Sequence, residues 1–190
     1  MKDPLESLKA VLAVATPIAL KTQLSRLVPF IDLVAYDPPN WLFTSGKPNR
    51  YNPAGIHCVY FAEARDVAQT EYDAMWQGRR GADQPVITYT AEVSLTRVLN
   101  LTRPALRRAL GLSDKELYKT WRRATRPTLT QLLGQAVTET KLFSAIRYPS
   151  KAAVAAGQPG INLVIFRDCV RSPESVRILG PSAKALQEWP

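Results

Sequence analysis

Glu71 is the residue whose position in this sequence most strongly suggests chemistry. Residues 64–77 have helical periodicity, and at about 100° per residue Glu71 lies at the centre of the apolar stripe. A carboxylate directed at a core is costly unless it is paired, hydrogen-bonded, protonated or facing a cavity. Two interpretations follow, an ion pair with an arginine or a site carboxylate. The stripe comprises Ala64, Val67, Ala68, Glu71, Ala74 and Met75.

Arg50, Tyr60 and Ser150 are further candidates, each with a structural alternative. Arg50 follows a proline-containing turn, and its guanidinium can bind phosphate oxygens through two hydrogen bonds or remain solvated at the surface. Tyr60 lies in a predicted strand, residues 56–62, where core packing is the alternative. Ser150 precedes a short alanine-rich stretch that ends in glycine, which predicts a helix N-cap.

Composition and charge exclude several functions and favour an anionic partner. The 190-residue chain carries 25 Lys and Arg against 16 Asp and Glu, for a net charge of +9, which attracts the phosphates of a nucleotide, a nucleic acid or a membrane surface. The one histidine, His57, and the two cysteines cannot supply a multi-histidine or four-thiolate metal site, so we expect no metal. Cys58 and Cys169 lie in apolar, strand-like runs typical of buried free thiols, which favours a reducing cytoplasm.

An apolar stretch from Ala10 to Leu20 has the composition of a signal-peptide core. Acidic residues precede it, Pro17 interrupts it, and it is too short to cross a bilayer. We therefore expect neither secretion nor membrane insertion, and a cytoplasmic location.

The order of the predicted elements indicates one α+β domain, with helices inserted between the strands of a mostly antiparallel sheet. Leucines at helical spacing in residues 5–27 predict a helical lead-in. We therefore divide the chain into an N-terminal helical segment, 1–34, a main domain, 35–180, and a C-terminal segment, 181–190. Strands are predicted at 56–62, 86–95, 162–166 and 175–179, a largely irregular loop at 35–55, and helices beginning near residues 64, 104, 113, 128 and 183.

The candidate residues, taken with their flanking segments, resemble the RES domain family, which is named for an arginine, a glutamate and a serine. Ten residues separate Arg50 from Tyr60, eleven separate Tyr60 from Glu71, and 79 separate Glu71 from Ser150. The resemblance covers residues 35–179. The matching segments are Arg50-Tyr51-Asn52-Pro53-Ala54-Gly55, the strand with Tyr60, the helix with Glu71, Tyr148-Pro149-Ser150 and Gly160-Ile161-Asn162-Leu163-Val164-Ile165-Phe166.

This resemblance implies a fold related to ADP-ribosyltransferases, NAD⁺ as the substrate, and a role as the toxin of a bacterial toxin–antitoxin pair. The implied partner is an Xre-like antitoxin that blocks the active site, and nucleic acid would be contacted only through that antitoxin. The implied catalytic residues are Glu71, Arg50 and Ser150, and the implied NAD⁺-binding residues are Arg50, Tyr51, Asn52, Tyr60 and Ser150.

The residue types suit cleavage of the bond between nicotinamide and ribose. That cleavage expels a neutral leaving group from a cationic pyridinium and leaves positive charge on the ribose, which a carboxylate stabilises. On this hypothesis Glu71 binds a ribose hydroxyl and Arg50 clamps a phosphate. Tyr60 contacts the nicotinamide end, and Ser150 orients the ribose or the carboxamide.

The sequence leaves the acceptor open. Water or phosphate would make the protein an NAD⁺ glycohydrolase or an NAD⁺ phosphorylase, which we favour, and a protein acceptor would make it an ADP-ribosyltransferase. A different class of function is a nucleic-acid-binding module, with Trp121 for base stacking. The basis for such a module would be several clusters of arginines along the chain. Charge runs are usually solvated faces, however, and these arginine clusters carry no recognition motif. The clusters comprise Arg79, Arg80, Arg103, Arg107, Arg108, Arg122, Arg123 and Arg126.

Overall fold

The computed structural model describes residues 3–31, 46–77, 84–122, 124–180 and 182–190. Arg79, Arg80 and Arg123, and the first part of the predicted loop at 35–55, lie outside these ranges. The helices are α1 (Pro4–Val14), α2 (Arg65–Trp76), α3 (Pro104–Ala109), α4 (Asp114–Leu117), α5 (Leu129–Thr140) and α6 (Lys151–Ala155), with a 3₁₀ turn at Arg167–Cys169. The strands are β1 (Ile18–Pro29), β2 (Cys58–Ala62), β3 (Val86–Asn100), β4 (Ala145–Pro149), β5 (Ile161–Phe166), β6 (Ser175–Leu179) and β7 (Ala185–Trp189).

The strands form one sheet in the order β1-β2-β5-β4-β3-β6-β7, and β1 also pairs with β3. The first five strands of this order therefore close on themselves, with β6 and β7 extending the sheet from β3. The strand pairs of the described residues are antiparallel except β3 with β4, which are parallel over three residue pairs. The predicted α+β fold, with helices inserted into a mostly antiparallel sheet, is confirmed.

Each central strand places alternate side chains in two different cores, as a pleated strand must. In β2, Val59 and Phe61 face the core enclosed by the curved sheet. Cys58 and Tyr60 face the second core, where α1 and α5 cover the sheet. Both cysteines are buried free thiols, as predicted. Among the described residues, none of the helices is long and apolar enough to cross a membrane.

Two segments that the sequence predicted as helices are strands. The helical lead-in ends at Val14, and Ile18–Pro29 pairs with β3 through most of its length. Leu20 and Leu24 fit an alternating pattern as well as a helical one, so pairing with β3 decides the conformation. The predicted closing helix is also a strand, and residues 185–189 pair with β6. So short a segment would not be stable as an isolated helix, so pairing with the sheet decides its conformation. The proposed boundary at residue 34 lies outside the described ranges, and β1, which precedes it, belongs to the common sheet.

Helix α5 is the platform for the loop that carries Arg50. It begins with the predicted capping box, in which Thr128 and Gln131 exchange side-chain and backbone hydrogen bonds. Gln131 also donates from Nε2 to the carbonyl of Asn49, at 2.9 Å. One turn later, a Cβ added to Gly134 would lie 1.6 Å from the carbonyl oxygen of Tyr51. The absence of a side chain at Gly134 therefore allows the loop to rest directly on the helix.

A buried carboxylate joins β3 to the loop before β6. Glu174 is 1% exposed, and its Oε1 accepts hydrogen bonds from the backbone amides of Thr96 and Arg97 and from Ser144 Oγ. Its Oε2 accepts from Arg97 Nη2. Burial alone would raise the pKa of Glu174, but the hydrogen bonds and the charge of Arg97 outweigh it and hold that pKa below its ordinary value.

We expect Gly134→Ala to lower the free energy of unfolding by about 3 kcal/mol or more, because the new methyl group overlaps the backbone of the Arg50 loop. Urea denaturation measures this change. The matched control is Gln135→Ala on the same helix, which should change the free energy by less than about 0.5 kcal/mol. Equal stabilities for the two variants would contradict the close approach of helix and loop.

We expect Glu174→Gln to destabilise the protein by about 3 kcal/mol near neutral pH, because it removes the charge partner of Arg97. The folded pKa is depressed, so the contribution of Glu174 is complete above about pH 5 and is lost as the pH falls through that pKa. The stability difference between wild type and variant should therefore shrink in acid. Urea denaturation between about pH 3 and pH 7 measures this difference, with the exposed Glu188→Gln as the control. A difference that grows in acid would refute the assignment.

Candidate active site

A cavity of about 540 Å³ lies between α2, β2 and the segment that follows α4. Arg50, Tyr60 and Glu71 line it from three separate parts of the chain, so the structure brings together three of the predicted site residues. Of the described side chains in the lining, four are basic and one is acidic. This excess of positive charge suits an anionic ligand. The basic residues are Arg26, Arg50, Arg122 and Lys151, and the acidic one is Glu71.

Glu71 is held by two neutral hydrogen-bond donors. Its Oε1 accepts from Ser150 Oγ at 2.6 Å and from Asn162 Nδ2 at 2.7 Å. Within the described part of the chain, Oε2 accepts no hydrogen bond and no lysine or arginine forms an ion pair with the carboxylate. The ion-pair interpretation is therefore wrong for these residues, and the structure presents Glu71 as a positioned carboxylate with one oxygen uncommitted.

The buried face of α2 is rotated slightly from the predicted stripe, so that Glu71 lies at its edge and not at its centre. Ala74 and Met75, predicted on the apolar side, are exposed and line the cavity. The cavity occupies the space where a continuous core would have covered them. The residues of α2 that are buried are Val67, Ala68 and Tyr72.

Ser150 lies between β4 and α6, and its hydroxyl makes two contacts at once. It accepts a hydrogen bond from Ala153 N at 3.0 Å, which confirms the predicted N-cap, and it donates to Glu71. Ser150 is 0% exposed and lies behind the Glu71 carboxylate, outside the cavity lining. The structure therefore brings Ser150 to Glu71, and not to the surface where the resemblance places a ligand.

The loop that carries Arg50 is a tight turn. Asn49 and Asn52 form a β-bridge across it, and the backbone amide of Arg50 donates to Asn49 Oδ1 at 2.8 Å. The Arg50 guanidinium extends from this turn into the cavity lining, where Nη1 donates to the carbonyls of Leu117 and Lys119 at 2.9 and 3.4 Å. Nη2 and Nε make no hydrogen bond to the described residues, which leaves donors for a ligand.

The hydroxyl of Tyr60 is fully used by this loop. It donates to Asn52 Oδ1 at 2.9 Å and accepts from the backbone amide of Tyr51 at 3.0 Å. Cys58 Sγ donates to the same amide oxygen at 3.2 Å. Burial raises the pKa of Tyr60 well above its ordinary value, so the phenol remains neutral. The ring of Tyr60 lines the cavity, and the ring is what it can offer a ligand.

Tyr51 and Asn52 lie behind the cavity wall and not at its surface. Both are 0% exposed and outside the lining. Tyr51 packs against the ring of Tyr148, with the ring centroids 4.5 Å apart, and burial raises its pKa. Asn52 Nδ2 donates to the carbonyl of Lys47 at 2.9 Å. The resemblance implied that both residues bind NAD⁺, whereas in the structure both are buried and stabilise the Arg50 turn.

Sequence reasoning assigned no role to Asn162, Lys151 and Arg26, all of which line the cavity. Asn162 stands directly opposite Ala62 in the β2–β5 pair, on the face that Tyr60 shares. A polar residue at the start of the apolar run 161–166 is the signal that would have found it. Across the described residues, no group of three or more His, Cys, Asp or Glu side chains could hold a metal ion.

The chain is similar in fold to a chain of the crystal structure of the M. tuberculosis MbcT–MbcA toxin–antitoxin complex. The TM-score is 0.63 and the sequence identity 18%, over 97% of this chain and 91% of that chain. The sequence model of the RES domain matches residues 36–185, and the chain therefore belongs to the RES domain family, which confirms the predicted family. None of the curated proteins matches the chain.

Two tyrosine variants separate the bonded hydroxyl from an unbonded one. We expect Tyr60→Phe to lower the free energy of unfolding by about 1–2 kcal/mol, because it strands the Tyr51 amide and removes a donor from Asn52. Tyr51→Phe is the matched control, since the Tyr51 hydroxyl is buried without a hydrogen-bond partner among the described residues, and its removal should be neutral or stabilising. Chemical denaturation measures both; a larger loss for Tyr51→Phe would reverse the assignment.

Proposed function

We propose that this protein cleaves NAD⁺ at the bond between nicotinamide and ribose. The observation that carries the proposal is the Glu71 carboxylate, which has one oxygen fixed by Ser150 and Asn162 and the other uncommitted at a cavity with an excess of basic residues. Membership of the RES family supports NAD⁺ as the substrate. An anionic dinucleotide with a cationic pyridinium suits a cavity that combines several cations with one carboxylate.

In the proposed reaction the bond between ribose C1′ and the pyridinium nitrogen breaks, and its electron pair leaves with neutral nicotinamide. Positive charge then develops on C1′ and the ring oxygen of the ribose. Glu71 accepts a hydrogen bond from a ribose hydroxyl through Oε2 and stabilises that charge. Its fixed orientation matters because a preorganised charge does not have to reorganise as the transition state forms.

Arg50 and Tyr60 bind the two parts of the substrate that flank the ribose. The uncommitted donors of Arg50 suit a phosphate oxygen, which a guanidinium binds through two parallel hydrogen bonds. The Tyr60 ring offers an aromatic surface to the nicotinamide, while its hydroxyl remains bound to the loop. Ser150 and Asn162 act through Glu71, so we assign them as positioning residues.

The acceptor of the ribosyl carbon is water or phosphate in the reaction that we favour, which makes the protein an NAD⁺ glycohydrolase or phosphorylase. Transfer to a protein side chain is the alternative. NAD⁺ labelled in its adenylate half distinguishes them, because the label enters a polypeptide only when a protein is the acceptor.

We also propose that the protein is the toxin of a toxin–antitoxin pair and that an Xre-like antitoxin blocks the cavity. Family membership and the similar fold in the MbcT–MbcA complex support this role. The net charge of +9 would favour a partner with an acidic surface. Expression without the partner should arrest growth while cellular NAD⁺ falls, and unchanged NAD⁺ during arrest would contradict the proposal.

We expect Glu71→Gln to reduce nicotinamide release from NAD⁺ by about 100-fold or more, because an amide occupies the same volume but carries no negative charge. Purified protein is incubated with NAD⁺, and free nicotinamide is measured over time. Asp73→Asn is the matched control: Asp73 is exposed on the same helix, bonds only Gln69 among the described residues, and should be dispensable.

The control should retain activity within about twofold of wild type. Thermal unfolding of both variants shows whether each is folded at the assay temperature. A folded Glu71→Gln protein with wild-type turnover would rule out the mechanism, and a wild-type protein that releases no nicotinamide would rule out the reaction.

A further inference from the structure

The segment 117–122, here called the strap, forms one wall of the cavity. It joins the end of α4 to the chain that leads into α5, and Leu117, Tyr118, Thr120, Trp121 and Arg122 all line the cavity. Three consecutive carbonyls of the strap bind cationic side chains from two other parts of the protein. Arg50 Nη1 donates to residues 117 and 119, and Lys151 Nζ donates to Tyr118 at 2.9 Å.

Lys151 thus reaches a backbone carbonyl across the cavity, whereas a lysine at the start of an exposed helix would ordinarily point into water. It is the first residue of α6, adjacent in sequence to Ser150, which holds Glu71. Within the described ranges neither Lys151 nor Arg50 forms an ion pair with a carboxylate. Two cations therefore meet at the strap with neutral acceptors as their partners.

A phosphate oxygen is a better acceptor for both cations than a carbonyl. Both cations already donate charge-assisted hydrogen bonds to the carbonyls, and a phosphate oxygen adds the direct attraction between opposite charges that a neutral carbonyl lacks. The ammonium of Lys151 has three donors and the guanidinium of Arg50 has five, so each can bind a phosphate in addition to the strap or in place of it. The carbonyls hold both side chains at the cavity before a ligand arrives, which reduces the entropy that binding must remove.

We propose that Lys151 is a phosphate-binding residue that acts with Arg50 to select ligands with a diphosphate over nucleosides. This inference rests on the proposed function and adds to it, because the chemistry at Glu71 requires only the nicotinamide riboside part of the substrate. The Lys151–Arg50 pair binds the diphosphate that joins the two nucleosides of a dinucleotide. Substrate selection and bond cleavage are therefore assigned to different residues of one cavity.

The test compares Lys151→Gln with Lys115→Gln, a variant with the same change in charge. Lys115 is exposed on α4 and outside the cavity lining. Calorimetry measures the binding of ADP, which has a diphosphate but no nicotinamide, and of adenosine, which has neither. We expect Lys151→Gln to weaken ADP binding about tenfold and to leave adenosine binding unchanged. Lys151→Arg should retain ADP affinity within about threefold, because it keeps the charge.

Kinetics provide the second measurement. In Lys151→Gln the KM for NAD⁺ should rise about tenfold with kcat within about twofold, while kcat/KM for nicotinamide riboside stays unchanged. Equal loss for ADP and adenosine, an equal effect of Lys115→Gln, or no effect at all would overturn the role of Lys151. The two proposals can also fail separately. If Lys151→Gln weakens ADP binding but the wild-type protein does not cleave NAD⁺, the phosphate-binding role is supported and the proposed reaction is refuted.

Discussion

The geometry of the cavity depends on one shared acceptor atom, Glu71 Oε1. A serine hydroxyl and an asparagine amide both donate to this oxygen, from positions 79 and 91 residues further along the chain. Neutral donors fix the orientation of the carboxylate and leave its negative charge uncompensated. An arginine would have fixed the orientation and also neutralised the charge. The same hydroxyl caps α6, so a single side-chain oxygen links this helix to the carboxylate. The site is therefore a consequence of ordinary capping and sheet registration.

The turn that carries Arg50 is likewise held by a single buried polar side chain, Asn52. Asn52 receives the Tyr60 hydroxyl and the Cys58 thiol, and its amide donates to the loop backbone, so one buried side chain joins β2 to the turn that presents Arg50. Gly134 allows that turn to rest on α5. Buried polar groups of this kind are costly unless they are satisfied, and here their hydrogen bonds hold the turn that carries the part-buried Arg50.

Sequence periodicity identified Glu71, and local capping chemistry identified Ser150, because both signals are local: the first arises within the helix that carries Glu71, and the second within the first turn of α6. The bond between them is not visible in the sequence, since it depends on how α2 and α6 pack against the sheet. Periodicity failed at β1, where leucines fit both a helix and a strand until β3 is considered. The resemblance identified the Arg50 turn as a unit, but only the packing shows that Tyr51 and Asn52 face inwards. Asn162 was missed, although its polar side chain interrupts the apolar run 161–166.

The order of the segments that meet at Glu71 also has a consequence during synthesis. The glutamate leaves the ribosome early, but Ser150 and Asn162 follow much later, and β5 must be complete before it can pair with β2. A nascent chain that stops before β5 has neither the asparagine donor nor the strand that β2 requires. Domains generally fold as units during synthesis, so we expect the cavity to form only when nearly the whole domain has emerged. A truncated chain that ends before β5 would therefore lack the complete cavity.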